Sequence, residues 1–247
     1  MPDPIRLLVD PPLEGAWNMS LDEALLDRVA RGESPDTLRF YEWSAPTLSL
    51  GYFQGAAERE GHAPSRECPL VRRSSGGGAI LHDRELTYCL VLRTADRFVA
   101  RELYDAVHQS LIEVLAGGGV EAELFGRAAR GGAADPFLCF QRRASGDVIC
   151  QGMKICGSAQ RRQGSAVLQH GSLLLGRSPF APELPGVNEL GSKLFSTAPV
   201  AEAWREAIAR RLARPLSDPS EWREEELSAA RAWREARFGD VDWTYRR

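Results

Sequence analysis

The residues best suited to chemistry lie in two stretches, DVICQGMKICGSAQRRQGSAVLQH (Asp147–His170) and, upstream of it, RRSSGGGAILHD (Arg72–Asp83). Each combines glycine-rich backbone with fixed positive charge and closes at a histidine, His170 and His82. Glycines let main-chain N–H groups approach a ligand closely, which suits carboxylates, phosphates or thioester carbonyls. Lys154 sits between Gly152 and Gly157 with little side-chain bulk around it, so its ammonium can neutralise an anion or favour a neighbouring thiolate. The arginine pair before Gly76, Gly77 and Gly78 adds charge to a loop with more glycine than a plain turn requires. The simpler reading is a glycine-rich hairpin with solvated arginines, a lysine pointing to water, and two structural histidines. Two such loops in one chain favour a single site built from both sides, as in an enzyme. Neither loop is a phosphate-binding P-loop or a dinucleotide fingerprint, and no G-x-S-x-G nucleophile motif occurs.

A cysteine nucleophile is available but not assigned by residue chemistry. Cys139 in DPFLCFQ, Cys150 and Cys156 all sit among apolar neighbours, where cysteine commonly serves as a small hydrophobe. With Cys68 and Cys89 the cysteines number five, an odd count without C-x-x-C spacing, so neither a metal-ligand set nor a disulfide framework is expected. His62 and His108 have no supporting context and read as structural or exposed. A net charge of −3, with 43% apolar and 26% charged residues, gives no electrostatic case for nucleic acid or an anionic membrane. A local cluster of Arg142, Arg143, Lys154, Arg161 and Arg162 can still steer an acidic partner. The opening MPDPIRLLVDPPLEGAW has no basic segment leading into a long apolar run, and no stretch approaches the about 18 apolar residues that span a bilayer. A chain without a signal peptide, in a reducing cytoplasm, is the expectation.

The elements that must position these loops follow from periodicity. Strands are expected at Ile5–Val9, Thr37–Trp43, Thr47–Phe53, Pro69–Arg72, Gly78–Leu81 and Leu86–Leu92, then at Phe137–Phe140, Asp147–Gln151, Lys154–Gln160 and Ala166–Leu175. Ser20 with Glu23 forms a capping-box pattern ahead of a helix carrying Leu21, Leu25 and Val29. Phe98–Leu115, Val200–Leu212 and Trp222–Phe238 read as further amphipathic helices. Residues 126–134 form an aperiodic Gly/Ala/Arg loop, and 176–197, with three prolines, an extended connector. The sum is an α+β domain: one mixed or mostly antiparallel β-sheet with flanking helices, spanning 1–247 as a single catalytic domain.

At this point the residues resemble the superfamily of lipoate–protein ligases and octanoyltransferases, which shares its catalytic fold with biotin–protein ligases. NMSLDEALL, LRFYEWSAPTLSLGYFQ, VRRSSGGGAILHDRELTYCLVL, LCFQ and GMKICGSAQRRQGSAVLQHGSLLL occur in the family's order and cover most of residues 16–175. The family-like core extends to about residue 215, and C-terminal helices run to 247. The extra small C-terminal domain of many two-domain lipoate ligases is not expected. The order of the glycine-rich loop differs from that of biotin–protein ligases.

The resemblance is closest to the cysteine-dependent octanoyltransferases, whose nucleophile lies in a Cys-Phe pair upstream of Lys-x-x-Gly-Ser-Ala-Gln. Cys139-Phe140 fills that place, fifteen residues before Lys154. The resemblance implies Cys139 as nucleophile and Lys154 as its activator and carbonyl contact. Arg72, Ser74, Gly76, Gly77, Gly78 and His82 would then line the acyl-binding loop, with Gly157, Ser158, Ala159, His170 and Gly171 closing the opposite side. An octanoyl or lipoyl group would pass from an acyl carrier protein, or an acylated lipoyl protein, through a thioester to a lysine of a lipoyl domain or glycine-cleavage H-type protein, with no cofactor or metal. Two segments depart from the transferase pattern: RRSSGGGA is nearer the ATP-dependent ligases, and QRRASGDVIC follows Cys139. An ATP- and Mg²⁺-dependent lipoate ligase acting through an adenylate therefore remains as one alternative. A non-catalytic acyl- or carrier-binding relative is the other.

Overall fold

A computed structural model describes residues 3–94, 99–126 and 136–247. Most of the loop expected over 126–134 lies outside these residues. In chain order the elements are β1 (Ile5–Val9), α1 (Gly15–Arg31), β2 (Thr37–Tyr41), β3 (Thr47–Leu50), β4 (Leu70–Arg72), β5 (Ile80–His82) and β6 (Glu85–Arg93). Then come α2 (Val99–Gly117), β7 (Glu123–Leu124), β8 (Val148–Cys150), β9 (Met153–Gln163) and β10 (Ala166–Leu174). Last are α3 (Val187–Leu190), α4 (Thr197–Leu212), β11 (Leu216–Pro219), α5 (Glu224–Trp233) and α6 (Val241–Tyr245).

The α+β class holds, with the strands divided between two sheets. Eight strands run in the order β11-β1-β2-β6-β10-β9-β8-β7, parallel where β1 meets its two neighbours and antiparallel elsewhere. A small sheet, β4-β3-β5, carries both ends of the glycine loop. Because side chains alternate along a strand, the large sheet buries both faces. Leu7, Phe40, Leu90 and Val167 pack toward Leu103, Val107 and Leu111 of α2 and Trp204 of α4. Leu8, Tyr41, Val91 and Leu168 pack toward Met19, Leu25 and Val29 of α1. Burying each large aliphatic side chain in these layers contributes on the order of 1.5–3 kcal/mol. A third cluster joins the small sheet to Leu138 and Phe140. No helix among the described residues is long and apolar enough to cross a membrane.

Four local expectations are corrected. Helix α1 starts at Gly15, so Ser20 lies inside it and donates its hydroxyl to the Ala16 carbonyl at 2.7 Å instead of capping. The run Phe137–Phe140 is not a strand: Leu138 makes one bridge to Ala79, and Cys139–Gln141 turns as a 3₁₀ helix. The C-terminal helix divides at Trp233 into α5 and a π-helical turn, Arg234–Phe238. The connector over 176–197 contains the short helix α3.

Candidate active site

Lys154 reaches the cleft because β9 carries a bulge. Val148 pairs with Cys156 but Ile149 pairs with Lys154, which leaves Ile155 as an extra residue. A bulge reverses the alternation of side chains beyond it. Cys156 and Ile155 consequently enter the α2-facing core while Lys154 is turned toward the opposite face. There its Nζ lies 3.8 Å from Cys139 Sγ, 2.9 Å from Asp147 Oδ2 and 5.3 Å from the centre of the Phe140 ring. Both members of the ion pair are buried. Asp147 also accepts from the Ala144 amide at 2.7 Å and from the Tyr104 hydroxyl at 3.1 Å.

Cys139 is presented by its 3₁₀ turn, which is tied to the glycine loop. Its amide donates to the Ala79 carbonyl at 2.7 Å, and the Ala79 amide donates to the Phe137 carbonyl at 3.1 Å. The other cysteines are poorer nucleophiles. Burial pushes the Cys68, Cys89, Cys150 and Cys156 thiols up, and Cys150 and Cys156 sit in the α2-facing core. Cys139 is half-buried, borders the cleft and lies beside an ammonium.

Arg73 organises the loop. Its guanidinium donates to the carbonyl and hydroxyl of Ser49, both at 2.7 Å, and to the carbonyls of Gly76 at 3.2 Å and Gly78 at 2.9 Å. The Gly77 carbonyl packs against Gly51, where a side chain would collide with it. With three carbonyls turned inward, the amides of Gly76 and Gly77 have no acceptor among the described residues. Gly77 holds φ +99°, a left-handed conformation that glycine tolerates without strain. Burial lowers Arg73 to about 10, against the raising effect of Cys139 and Tyr41, so it keeps its charge at neutral pH.

The cleft has about 490 Å³ of space, part of it open to solvent. Its floor is a row across four strands, since Tyr41 pairs with Thr87, Thr87 with Ser172, and Ser172 with Gly157. The next row on this face contains His170 and Ala159. Thr87 and Ser172 both donate their hydroxyls to the buried Glu85 carboxylate, which leaves largely apolar surface for the cleft. His82 also binds Glu85, at 3.0 Å through Nδ1, while its Nε2 meets the Ser49 hydroxyl at 2.7 Å and its ring stacks on Trp43 at 3.8 Å. Burial holds His82 below its ordinary range despite Glu85. His170 bridges Asp22 at 3.2 Å and the Ser75 hydroxyl at 2.6 Å, which fastens the loop to the sheet.

Of the expected site residues, Cys139, Lys154, Gly76, Gly77 and His82 border this cleft, as do Gly157, Ser158, Ala159, His170 and Gly171. Three others are placed elsewhere. Arg72 is fully buried and donates to the carbonyls of Thr244, Gly51 and Gln54, clamping β4 to α6. Ser74 donates to Glu23 at 2.7 Å. Gly78 lies against the Cys139 backbone and outside the cleft. Arg73 takes the position expected of Arg72 because neighbouring residues leave the strand in opposite directions.

The basic cluster also divides. Lys154 is buried against Asp147, Arg161 pairs with Glu23 at 2.9 Å, and Arg162 faces the other side of β9. His108 is buried, the structural of its two expected placements, and burial lowers it to about 4, against the raising effect of its hydrogen bond to the Gly146 carbonyl. Its Nδ1 must donate to the Gly146 carbonyl at 2.6 Å. Neutral Nε2 therefore accepts from Ser158, whose oxygen accepts from Tyr88, which accepts from Gln169, each contact at 2.6 Å. This chain runs from the cleft wall to the turn that carries Asp147.

Residues 14–181 match the model of the lipoyl protein ligase A/B catalytic domain. Octanoyltransferase LipM of Kyrpidia tusciae is 33% identical over 273 residues, covering 98% of both chains. The same-named protein of Oceanobacillus iheyensis is 40% identical over 174 residues, covering 68% of this chain and 63% of that one. Among solved structures, lipoate-protein ligase A bound with ATP superposes with a TM-score of 0.80 at 21% identity, covering 98% of both chains. The bipartite lipoate protein ligase of Thermoplasma acidophilum gives 0.75 at 20%, covering 99% of this chain and 97% of that one, which is likeness of fold. The chain belongs to the lipoyl protein ligase A/B catalytic-domain family.

Proposed function

We propose that this protein is an octanoyltransferase of protein lipoylation, with residues 1–247 acting as one catalytic domain and Cys139 as the acyl carrier. The observation that carries the reading is the contact between Cys139 Sγ and Lys154 Nζ at 3.8 Å on the wall of a largely apolar cleft. The thiolate is the attacking form of a cysteine, and the Lys154 ammonium places an opposite charge beside the sulphur. Cys139 attacks the carbonyl of an octanoyl thioester on an acyl carrier protein; the C–S bond to the carrier breaks, and the carrier thiolate takes up a proton. The Gly76 and Gly77 amides and Lys154 supply donors for the oxyanion, a role in which one donor contributes about 10²–10³ in rate. A lysine of a lipoyl domain or H-type protein, arriving as a neutral amine, then attacks the Cys139 thioester. An amide forms, the C–S bond breaks with its electron pair returning to sulphur, and the amine proton passes to the released Cys139 thiolate. Neither half-reaction consumes ATP, and a reducing cytoplasm keeps the thiol available.

Transfer assayed from octanoyl-carrier protein to a lipoyl domain tests this reading. Turnover without ATP, abolished by Cys139→Ala, supports it. Pyrophosphate release from ATP plus lipoate, with Cys139→Ala still active, would instead establish the ligase reaction.

A further inference from the structure

The acceptor in the proposed reaction is a lysine amine, and Lys154 is itself a lysine amine beside the acyl-carrying sulphur. The carbonyl carbon of an acylated Cys139 lies one bond from Sγ, which is 3.8 Å from Nζ. That brings the carbon close to the attack distance of about 3–3.5 Å. A neutral Lys154 would attack it: the N–C bond forms, the C–S bond breaks with its electron pair returning to sulphur, and the amine proton passes to the thiolate. The product is an amide on Lys154, which no longer transfers its acyl group.

Asp147 stands against this outcome. Its carboxylate contacts Nζ at 2.9 Å and is buried with it. The Ala144 amide and the Tyr104 hydroxyl fix its orientation. In this ion pair Nζ is an ammonium, which has no lone pair to attack with, and the contact holds it against the carboxylate. We propose that Asp147 blocks acyl migration from Cys139 to Lys154, so that Lys154 is a latent self-acylation site. The inference rests on the acyl-enzyme reading above.

Protein loaded with octanoyl-carrier protein and freed of excess donor is held, treated with hydroxylamine and mapped by peptide mass spectrometry. Hydroxylamine cleaves thioesters and spares amides. Wild type should lose its adduct, whereas Asp147→Asn should gain a resistant octanoyl group on Lys154, about tenfold or more above wild type. In the double variant Asp147→Asn/Lys154→Arg, whatever adduct loads should be cleaved by hydroxylamine, since the attacking amine is gone. Lys193, the other lysine of the chain, serves as internal reference. Should Asp147→Asn fail to load Cys139, Tyr104→Phe, which removes one hydrogen bond to Asp147, should show the same product at lower yield. A labile adduct in the loading variants with Lys154 unmodified would overturn the inference alone, as would spontaneous amide formation on Lys154 in wild type. No labile adduct on wild-type Cys139 would overturn the acyl-enzyme reading and this inference with it.

Discussion

Gly157 has no side chain because Lys154 occupies the space one would need: a Cβ there would stand 2.6 Å from Lys154 Nζ. The bulge at Ile155 turns the lysine toward the cleft, and Gly157 lets it lie flat against the strand on the way to Cys139. Gly157→Ala should therefore push the ammonium off the thiol while the sheet still forms. A displacement near 1 Å costs on the order of 10²-fold in rate. Steady-state transfer should fall by about that factor, with the far-ultraviolet dichroism of wild type retained. Full activity in Gly157→Ala would show that the position of Lys154 is unimportant.

Alkylation reads the Cys139–Lys154 contact directly. Lys154→Ala should slow iodoacetamide labelling of Cys139 near neutral pH, read as the time course of labelling, because the ammonium 3.8 Å from the sulphur is gone. A tenfold slower rate corresponds to about 1.4 kcal/mol of lost thiolate stabilisation. Lys154→Arg keeps the charge but replaces a compact donor with a planar fork, so labelling should recover in part while transfer stays poor. Superimposable curves for wild type and Lys154→Ala would remove the lysine from thiol activation.

The neighbouring arginines should separate in their effects. Arg73→Gln takes the guanidinium from the Gly76 and Gly78 carbonyls and should lower kcat by about 10²-fold as the loop amides lose their aim. Arg72→Gln breaks bonds to Thr244, Gly51 and Gln54. Its first effect should be on stability, by about 1–3 kcal/mol in urea titration. Equal kinetic losses at equal stability would contradict the division of labour.

Much of this arrangement could be read from sequence, and the reasons for the rest are physical. Helix α2 shows through because its apolar periodicity matches the face it buries, and strand β10 because it is a short run buried on both faces. Helix α1 hides its true start because its inner face is partly polar: Asn18, Asp22 and Glu23 are buried there, where they bind Arg39, His170 and Arg161. Arg72 and Arg73 are indistinguishable until the strand direction is known. Nothing in the sequence marks Asp147 for its role, since its pairing with Lys154 crosses a bulge that leaves no pattern in the chain. Cys139 could not be told from Cys150 and Cys156 by residue chemistry; their burial in the core separates them.

Acid should destabilise the fold through His108. Its folded value of about 4 lies below the ordinary 6.5, so the unfolded chain binds the extra proton between those limits. The stability contributed by neutral His108 is complete above pH 6.5 and is lost progressively as pH falls toward 4, on the order of 3 kcal/mol in all. Denaturation at several pH values should show wild type losing stability across this window more steeply than His108→Gln. Parallel curves would mean that His108 is not the group responsible.

The acyl-enzyme is the claim on which the rest depends, and the mass of the protein after brief exposure to octanoyl-carrier protein tests it most directly. Wild type should gain one octanoyl group, released by hydroxylamine and mapped to the peptide holding Cys139. Cys139→Ser should carry no hydroxylamine-labile adduct under the same conditions. An adduct mapped to Cys150 or Cys156, or turnover without any adduct in wild type, would contradict it.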